Sequence, residues 1–311
     1  MAIEHAAVQV VRKPWGVADL RPWSSIDGSG DRVGELWFER TDQSARVPAL
    51  LLKLLFTSEP LSIQVHPDDA FARTVGLPNG KTEAWYILSA TPDARVGVGL
   101  KWHLAPGELR AAIKNGSIAN LVDWRSVRKG DIIFIPAGTI HAIGAGIVLA
   151  EIQQHSDATF RLFDYGRTRE LHEDSAVAVS DAGPLQTQAG ARRLTAVRTA
   201  LVASPHFVLE RIDLPPNSSW ALNAKRETWI LVIEGQARVG RTSLKVGDAV
   251  FAEADSAGID VGPDGMSALL AYPGPDPVVA LLEDSGEHMT KSAPASVARP
   301  SKPEEIVGVQ R

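Results

Sequence analysis

The chain is broken too often for long helices. Apolar runs are short: Leu36-Trp37-Phe38-Glu39, Leu50 to Phe56, Ala84 to Leu88, Asp131 to Ile135 and Ile147 to Ile152. Each is bounded by Gly, Pro or Asp. Short strands with frequent turn signals predict a sandwich or barrel of antiparallel strands. A second set of runs begins near Arg193: His206 to Ile212, Thr228 to Gly235, Ala237 to Gly240 and Ala249 to Glu253. The two sets share a phrase. Lys129-Gly-Asp-Ile-Ile-Phe-Ile-Pro-Ala137 parallels Val246-Gly-Asp-Ala-Val-Phe-Ala-Glu-Ala254. Two copies of one β-module explain the repeat, with Gly-Asp turning into a strand in each. The length of 311 residues suits two such units.

The main helical spacing lies in one insertion, about residues 105–123. Leu109, Ile113, Ile118 and Leu121 fall on helical turns, Pro106 suits a first position, and Asn115-Gly116 stops the first helix. A further short helix is expected from Ala70 to Leu77, with Asp68 and Asp69 as turn and cap residues. The Ala-, Gly-, Ser- and Gln-rich stretch from Ala176 to Ala191 reads as a connector that is partly helical. The last part, 283–311, is polar and rich in Pro and Ser, and is expected to be a mobile tail.

Composition removes several function classes. There is no cysteine, which excludes disulfides, thiol catalysis and Cys-bound zinc. Net charge is −5 with no basic stripe, so neither nucleic acid nor an anionic membrane surface is an expected partner. The first residues lack the basic start and apolar run of a secretory signal, and no apolar run approaches a membrane span. A cytoplasmic protein is expected. Oligomeric state, monomer or homodimer, is not legible.

Four dispersed residues carry the chemistry. Gln64 and His66 stand two apart on one strand, so they share a face. Pro67 then ends ladder pairing and leaves His66 near a rim. Glu83 opens the next strand. His141 follows the turn Pro136-Ala137-Gly138, which aims it back across a barrel. If these strands line one barrel, the four side chains converge on one divalent metal. Imidazole plus carboxylate suits zinc, iron, manganese, cobalt or nickel. Each residue taken singly reads as structural; the joint pattern reads as a metal centre.

The spacing from Gly130 through Pro136-Ala137-Gly138 to His141 resembles the second motif of the cupin superfamily. Gln64-Val65-His66 with Glu83 resembles its first motif, with Gln in place of the first His. More closely, the chain resembles the type I phosphomannose isomerase family. The resemblance is carried by Lys13-Pro14-Trp15-Gly16, Val65-His66-Pro67-Asp68-Asp69, Gly80-Lys81-Thr82-Glu83-Ala84-Trp85, Ile135 to Gly144 and Glu151 to Arg167. It implies an all-β fold of two cupin-type jelly-roll barrels with a small helical insertion in the first. The first, 1–180, is then the metal-binding catalytic barrel. The second, 181–282, is a degenerate barrel, with Glu253, Asp255 and Gly258 where the motif has Pro, Gly and His.

The resemblance further implies interconversion of mannose 6-phosphate and fructose 6-phosphate, with one Zn²⁺ per chain on Gln64, His66, Glu83 and His141. Lys81 then contacts the sugar hydroxyls or takes part in proton transfer. Arg161 matches the family's active-site arginine and faces the enediolate or a phosphate oxygen. Asp157 orients Arg161 or relays a proton, and Arg167 is a further phosphate candidate. Two other readings are an iron dioxygenase, against which the Gln64 amide argues, and a non-catalytic cupin that binds sugar phosphate. His155 stands where relatives commonly carry a smaller polar residue.

Overall fold

The computed structural model describes residues 3–42, 44–186 and 190–286. Every ladder between its strands is antiparallel. The first half holds two sheets. One runs in the order Ala7–Val17, Val33–Glu39, Leu50–Thr57, Ile147–Gln154, Glu83–Ala90, Ile132–Ile135. The other runs Phe160–Phe163, Ile63–Val65, His141–Ile143, Arg95–Leu100, Val122–Ser126. The second half builds a ten-stranded sheet.

Burial explains the unusual strand sequences. Leu50–Thr57 is buried at all eight positions, because its sheet is covered on both faces. On one face Leu55, Trp85, Ile87 and Leu149 meet Val96, Val98 and Ile143 of the five-stranded sheet. On the other, Leu52, Leu54, Phe56 and Tyr86 join Phe207, Leu209, Trp229 and Phe251 of the second half in one continuous core. The five-stranded sheet is closed from outside by the helical insertion, whose Leu109 and Ile113 pack with Ile63, Val65 and Leu162.

The insertion forms helices Pro106–Asn115 and Ile118–Leu121. Gly116 ends the first at φ 75°, where a Cβ is costly. Helix Asp69–Thr74 is shorter than the expected span and is capped by Asp68, which accepts from Phe71 N at 2.7 Å. The stretch read as a connector carries most of a short helix, Glu173–Val179.

The Gly-Asp repeat is structural. Gly130 and Gly247 adopt φ 91° and 88°. Asp131 accepts from Arg128 N at 2.9 Å, and Asp248 accepts from Lys245 N at 3.0 Å. The ladders then show what the second copy lacks. Glu83 pairs with Ile135, and Thr228 pairs with Ala252, at the same step from each glycine. The second copy therefore carries Thr228 in place of Glu83 and, counting on equally, Gly258 in place of His141.

Two boundaries differ from expectation. Ile3–His5, placed by the sequence reading in the first unit, pairs with Ala249–Ala252 of the second. The tail begins later than 283, because Leu282–Asp284 pairs with Ser219–Ala224. Residues 287–311 of the expected tail lie outside the described residues. Among the described residues no helix is long and apolar enough to cross a membrane.

Candidate metal centre and cavity

His66, Glu83 and His141 are each at most 1% exposed, and their ligand atoms all lie within 4.8 Å of one another. Local sequence brings them there. Gly80 lies so close to the backbone of Pro67 and Asp68 that a Cβ would meet Pro67 O at 2.5 Å. Lys81 N donates to Pro67 O at 3.0 Å, which lays the start of Glu83–Ala90 against the end of the His66 strand. Gly138, at φ 86°, donates its N–H to His66 O at 2.8 Å. That contact turns the chain so that His141 pairs with Gln64. Gln64 in turn pairs with Arg161, so three site residues stand in one cross-strand row.

The two imidazoles are oriented by the backbone. His66 Nδ1 lies 2.7 Å from Ala158 O and His141 Nδ1 2.8 Å from Thr139 O. Each ring therefore donates from Nδ1 and turns the lone pair of Nε2 inward, the tautomer a metal ligand needs. His66 Nε2 lies 3.4 Å from Glu83 Oε2, and His141 Nε2 3.5 Å from Glu83 Oε1. The Gln64 amide is 3.3 Å from His141 Nε2, within reach of the same focus.

Electrostatics favour the ligating protonation states. Burial and the Lys81 charge push His66 down to about 3, and burial also lowers His141. Burial alone would raise Glu83. The neighbouring charges, the Lys81 ammonium foremost, more than offset it and hold the carboxyl well below its usual range. Two neutral imidazoles and one carboxylate are a divalent-metal donor set.

Beside the cluster lies a cavity of about 160 Å³, whose walls include Gln64, Lys81, Glu151, Asp157 and Arg161. Lys81 Nζ is 2.7 Å from Glu83 Oε2 and 3.1 Å from His66 Nε2. Trp85 Nε1 donates to Glu83 Oε1 at 3.1 Å and to Glu151 Oε2 at 3.0 Å. Glu151 also faces Lys53 at 3.5 Å, and Lys53 faces Glu35 at 3.8 Å. A chain of alternating charge thus crosses the inner face of the six-stranded sheet and ends at the metal cluster.

No family model matches the chain. It is 36% identical over 224 residues to the mannose-6-phosphate isomerase of Streptococcus mutans, across 68% of this chain and 70% of the relative. It is 34% identical over 227 residues to mannose-6-phosphate isomerase ManA of Bacillus subtilis, again across 68% and 70%. The chain belongs to the mannose-6-phosphate isomerase family. The family's fold is present as well. The crystal structure of a Bacillus subtilis mannose 6-phosphate isomerase superposes with a TM-score of 0.75, at 23% identity, covering 88% of this chain and all of that one. A putative mannosephosphate isomerase from Archaeoglobus fulgidus gives 0.69 at 16% identity, over 88% and 97%.

In this member of the mannose-6-phosphate isomerase family, six residues singled out in the sequence meet: Gln64, His66, Glu83, His141, Lys81 and Arg161. Asp157 lines the cavity from a more exposed position. Arg167 does not join them. It is engaged by Asp164 at 3.0 Å, by Pro60 O at 2.7 Å and by Glu59 at 3.8 Å, and Arg169 lines the cavity instead. Sequence reasoning missed Lys53, Glu151, Trp85, Arg169 and His172 as site residues. A signal existed for the first two, since each is the lone charge in its buried strand.

Proposed function

We propose that this chain interconverts mannose 6-phosphate and fructose 6-phosphate in the cavity beside a divalent metal, and that the metal is zinc. The observation that carries the reading is the buried His66–Glu83–His141 focus beside a cavity walled by Gln64, Lys81, Glu151 and Arg161. The fit to a cation is chemical. Both Nε2 atoms and both Glu83 oxygens face one buried focus, and the Gln64 amide oxygen is available after rotation. A cation held by three or four protein donors would keep coordination positions for substrate oxygens, as catalytic sites do.

The reaction removes a proton alpha to a carbonyl and returns it to the adjacent carbon. The chemistry a bound cation supplies is polarisation of that carbonyl and charge compensation for the enediolate. The other roles fall to side chains. Burial and the nearby Glu83 charge hold the Glu151 carboxyl above its usual range. That suits a group which takes a proton at one carbon and gives it back at the next near neutral pH. Burial would lower Lys81, but Glu83 and Glu151 more than offset this and raise it. Lys81 thus serves as a fixed ammonium beside the substrate oxygens rather than as the base. The Arg161 guanidinium makes no salt bridge among the described residues and keeps a buried, unpartnered Nε. It is available to a substrate anion, with the Asp157 charge close enough to steady it.

The test is a coupled assay with mannose 6-phosphate on protein stripped by a chelator and then given Zn²⁺. Turnover is expected to vanish on stripping and return on addition. Full activity in the metal-free protein would refute the mechanism.

A further inference from the structure

The inner face of the six-stranded sheet has a counterpart in the second half, with its charges reversed. The ladders set the equivalence rung by rung. Counted equally from Gly130 and Gly247, Trp85, Glu151 and Lys53 match Ile230, Leu270 and Glu210. Two residues along, Leu55 and Glu35 match Ile212 and Arg198. Each half thus buries an ion pair on corresponding strands. Lys53 faces Glu35 at 3.8 Å in the first. In the second, Arg198 donates to both oxygens of Glu210 at 2.8 Å. Lys53, Arg198 and Glu210 are at most 3% exposed.

The halves differ on the next strand. Leu270 stands beside Glu210, so that pair closes on itself. Glu151 stands beside Lys53 and faces its ammonium at 3.5 Å through Oε1. The other oxygen, Oε2, accepts the Trp85 N–H at 3.0 Å. Each oxygen of Glu151 therefore has its own partner, one from each flanking strand. Lys53 is itself held in place. Its ammonium lies 4.2 Å over the Trp37 ring, and Trp37 Nε1 donates to Glu35 Oε2 at 2.6 Å. The Lys81 charge also reaches Glu151, but that ammonium is tied to Glu83 Oε2 at 2.7 Å.

We infer that Lys53 is a positioning residue for Glu151, holding the carboxylate where it takes and returns the substrate proton and acting on the reaction only through it. The inference rests on the isomerase reading above and on the part given there to Glu151. The second half serves as the control. Its buried pair folds without a second carboxylate, so one ammonium shared by two buried carboxylates is not something packing requires. The added acid stands in the half that carries the metal ligands, and both Lys53 and Glu151 line the cavity.

The experiment is a double-mutant cycle on the zinc-loaded full chain, with fructose 6-phosphate as substrate. Lys53→Met keeps the stem and its packing on Trp37. It should lower kcat about ten- to a hundredfold, with KM and zinc content unchanged. Added to Glu151→Gln, it should cost nothing more, because nothing is left to position. Lys53→Met with Glu35→Gln removes the ion pair together and keeps an acceptor for Trp37, which guards against misfolding; it should show the same loss in kcat. The infrared carboxylate band that Glu151→Gln abolishes should also shift in Lys53→Met. A wild-type kcat in Lys53→Met would overturn the inference. Losses that multiply in the Lys53→Met, Glu151→Gln protein would overturn it too, by placing Lys53 on the substrate. A wild-type protein that turns over neither sugar phosphate, while the band still shifts, would overturn the isomerase reading and this role with it, leaving only the ion pair.

Discussion

At the scale of single residues, the site is defined by a few buried polar groups in strands that are otherwise apolar. Trp85 is a clear instance. Its indole fills the core between the sheets, while its one N–H bridges Glu83 and Glu151. A single donor thereby aligns a metal ligand and the proposed proton carrier. Glu151 also faces Lys53, so its carboxyl sits between a cation and a neighbouring anion. Replacing it with the isosteric amide keeps the shape and an acceptor for Trp85 but removes the proton shuttle. Glu151→Gln should lower kcat by about 10²–10⁴ while zinc content stays at the wild-type level. Product formed in deuterated water should lose its solvent label in proportion. A kcat near wild type would remove Glu151 from the mechanism.

At the scale of elements, turns and loops set the site more than the strands do. Gly80 and Gly138 let two strand ends close on His66 and His141. The loop from Asp164 to His172 sets Arg169, which Asp164 holds by two bonds at 2.7 and 2.6 Å, in the cavity wall. Burial would raise the Asp164 carboxyl, but Arg169 and Arg167 more than offset it and hold it below its ordinary value of 3.8. A carboxylate depressed by folding stabilises the fold above its unfolded value and loses that contribution as pH falls through the folded one. The stability difference between wild type and Asp164→Asn should therefore be fully present near neutral pH. It should shrink as pH drops below about 4. Urea unfolding at a series of pH values reads it, and a difference independent of pH would contradict the assignment.

At the scale of the whole molecule, the second half supports the first without repeating its chemistry. It carries Thr228 and Gly258 where the first carries Glu83 and His141, so it cannot assemble the same centre. It contributes packing and a few directed bonds. Glu227, 7% exposed, accepts from Ala49 N at 2.6 Å and Leu50 N at 2.8 Å. These are the first amides of the strand that carries Lys53. Arg211 donates to Tyr86 OH at 2.9 Å, on the back of the Glu83 strand. Glu227→Ala strands two N–H groups at the seam and should cost about 2–3 kcal/mol of stability. The urea midpoint would show it. An unchanged midpoint would mean that water replaces the carboxylate there.

Some of this is legible in the chain itself. Short apolar runs between turn residues, the Gly-Asp turn repeated in both halves, and the ligands with their glycine turns are local patterns. Local sterics and backbone pairing enforce them wherever the rest of the chain goes. The sequence alone therefore determined an antiparallel β fold and the identity of His66, Glu83 and His141. Tertiary structure decided what depends on register and on covering both faces of a sheet. Lys53 and Glu151 read as isolated charges until adjacent strands bring them together under a buried face. Arg167 and Arg169 stand two apart in the chain, and only the folded loop around Asp164 shows which one lines the cavity. Ile3–His5 joins the far sheet because an unpaired edge there accepts it. Such choices are made between residues distant in sequence, where burial and hydrogen-bond satisfaction are settled by the assembled sheets and not by neighbours along the chain.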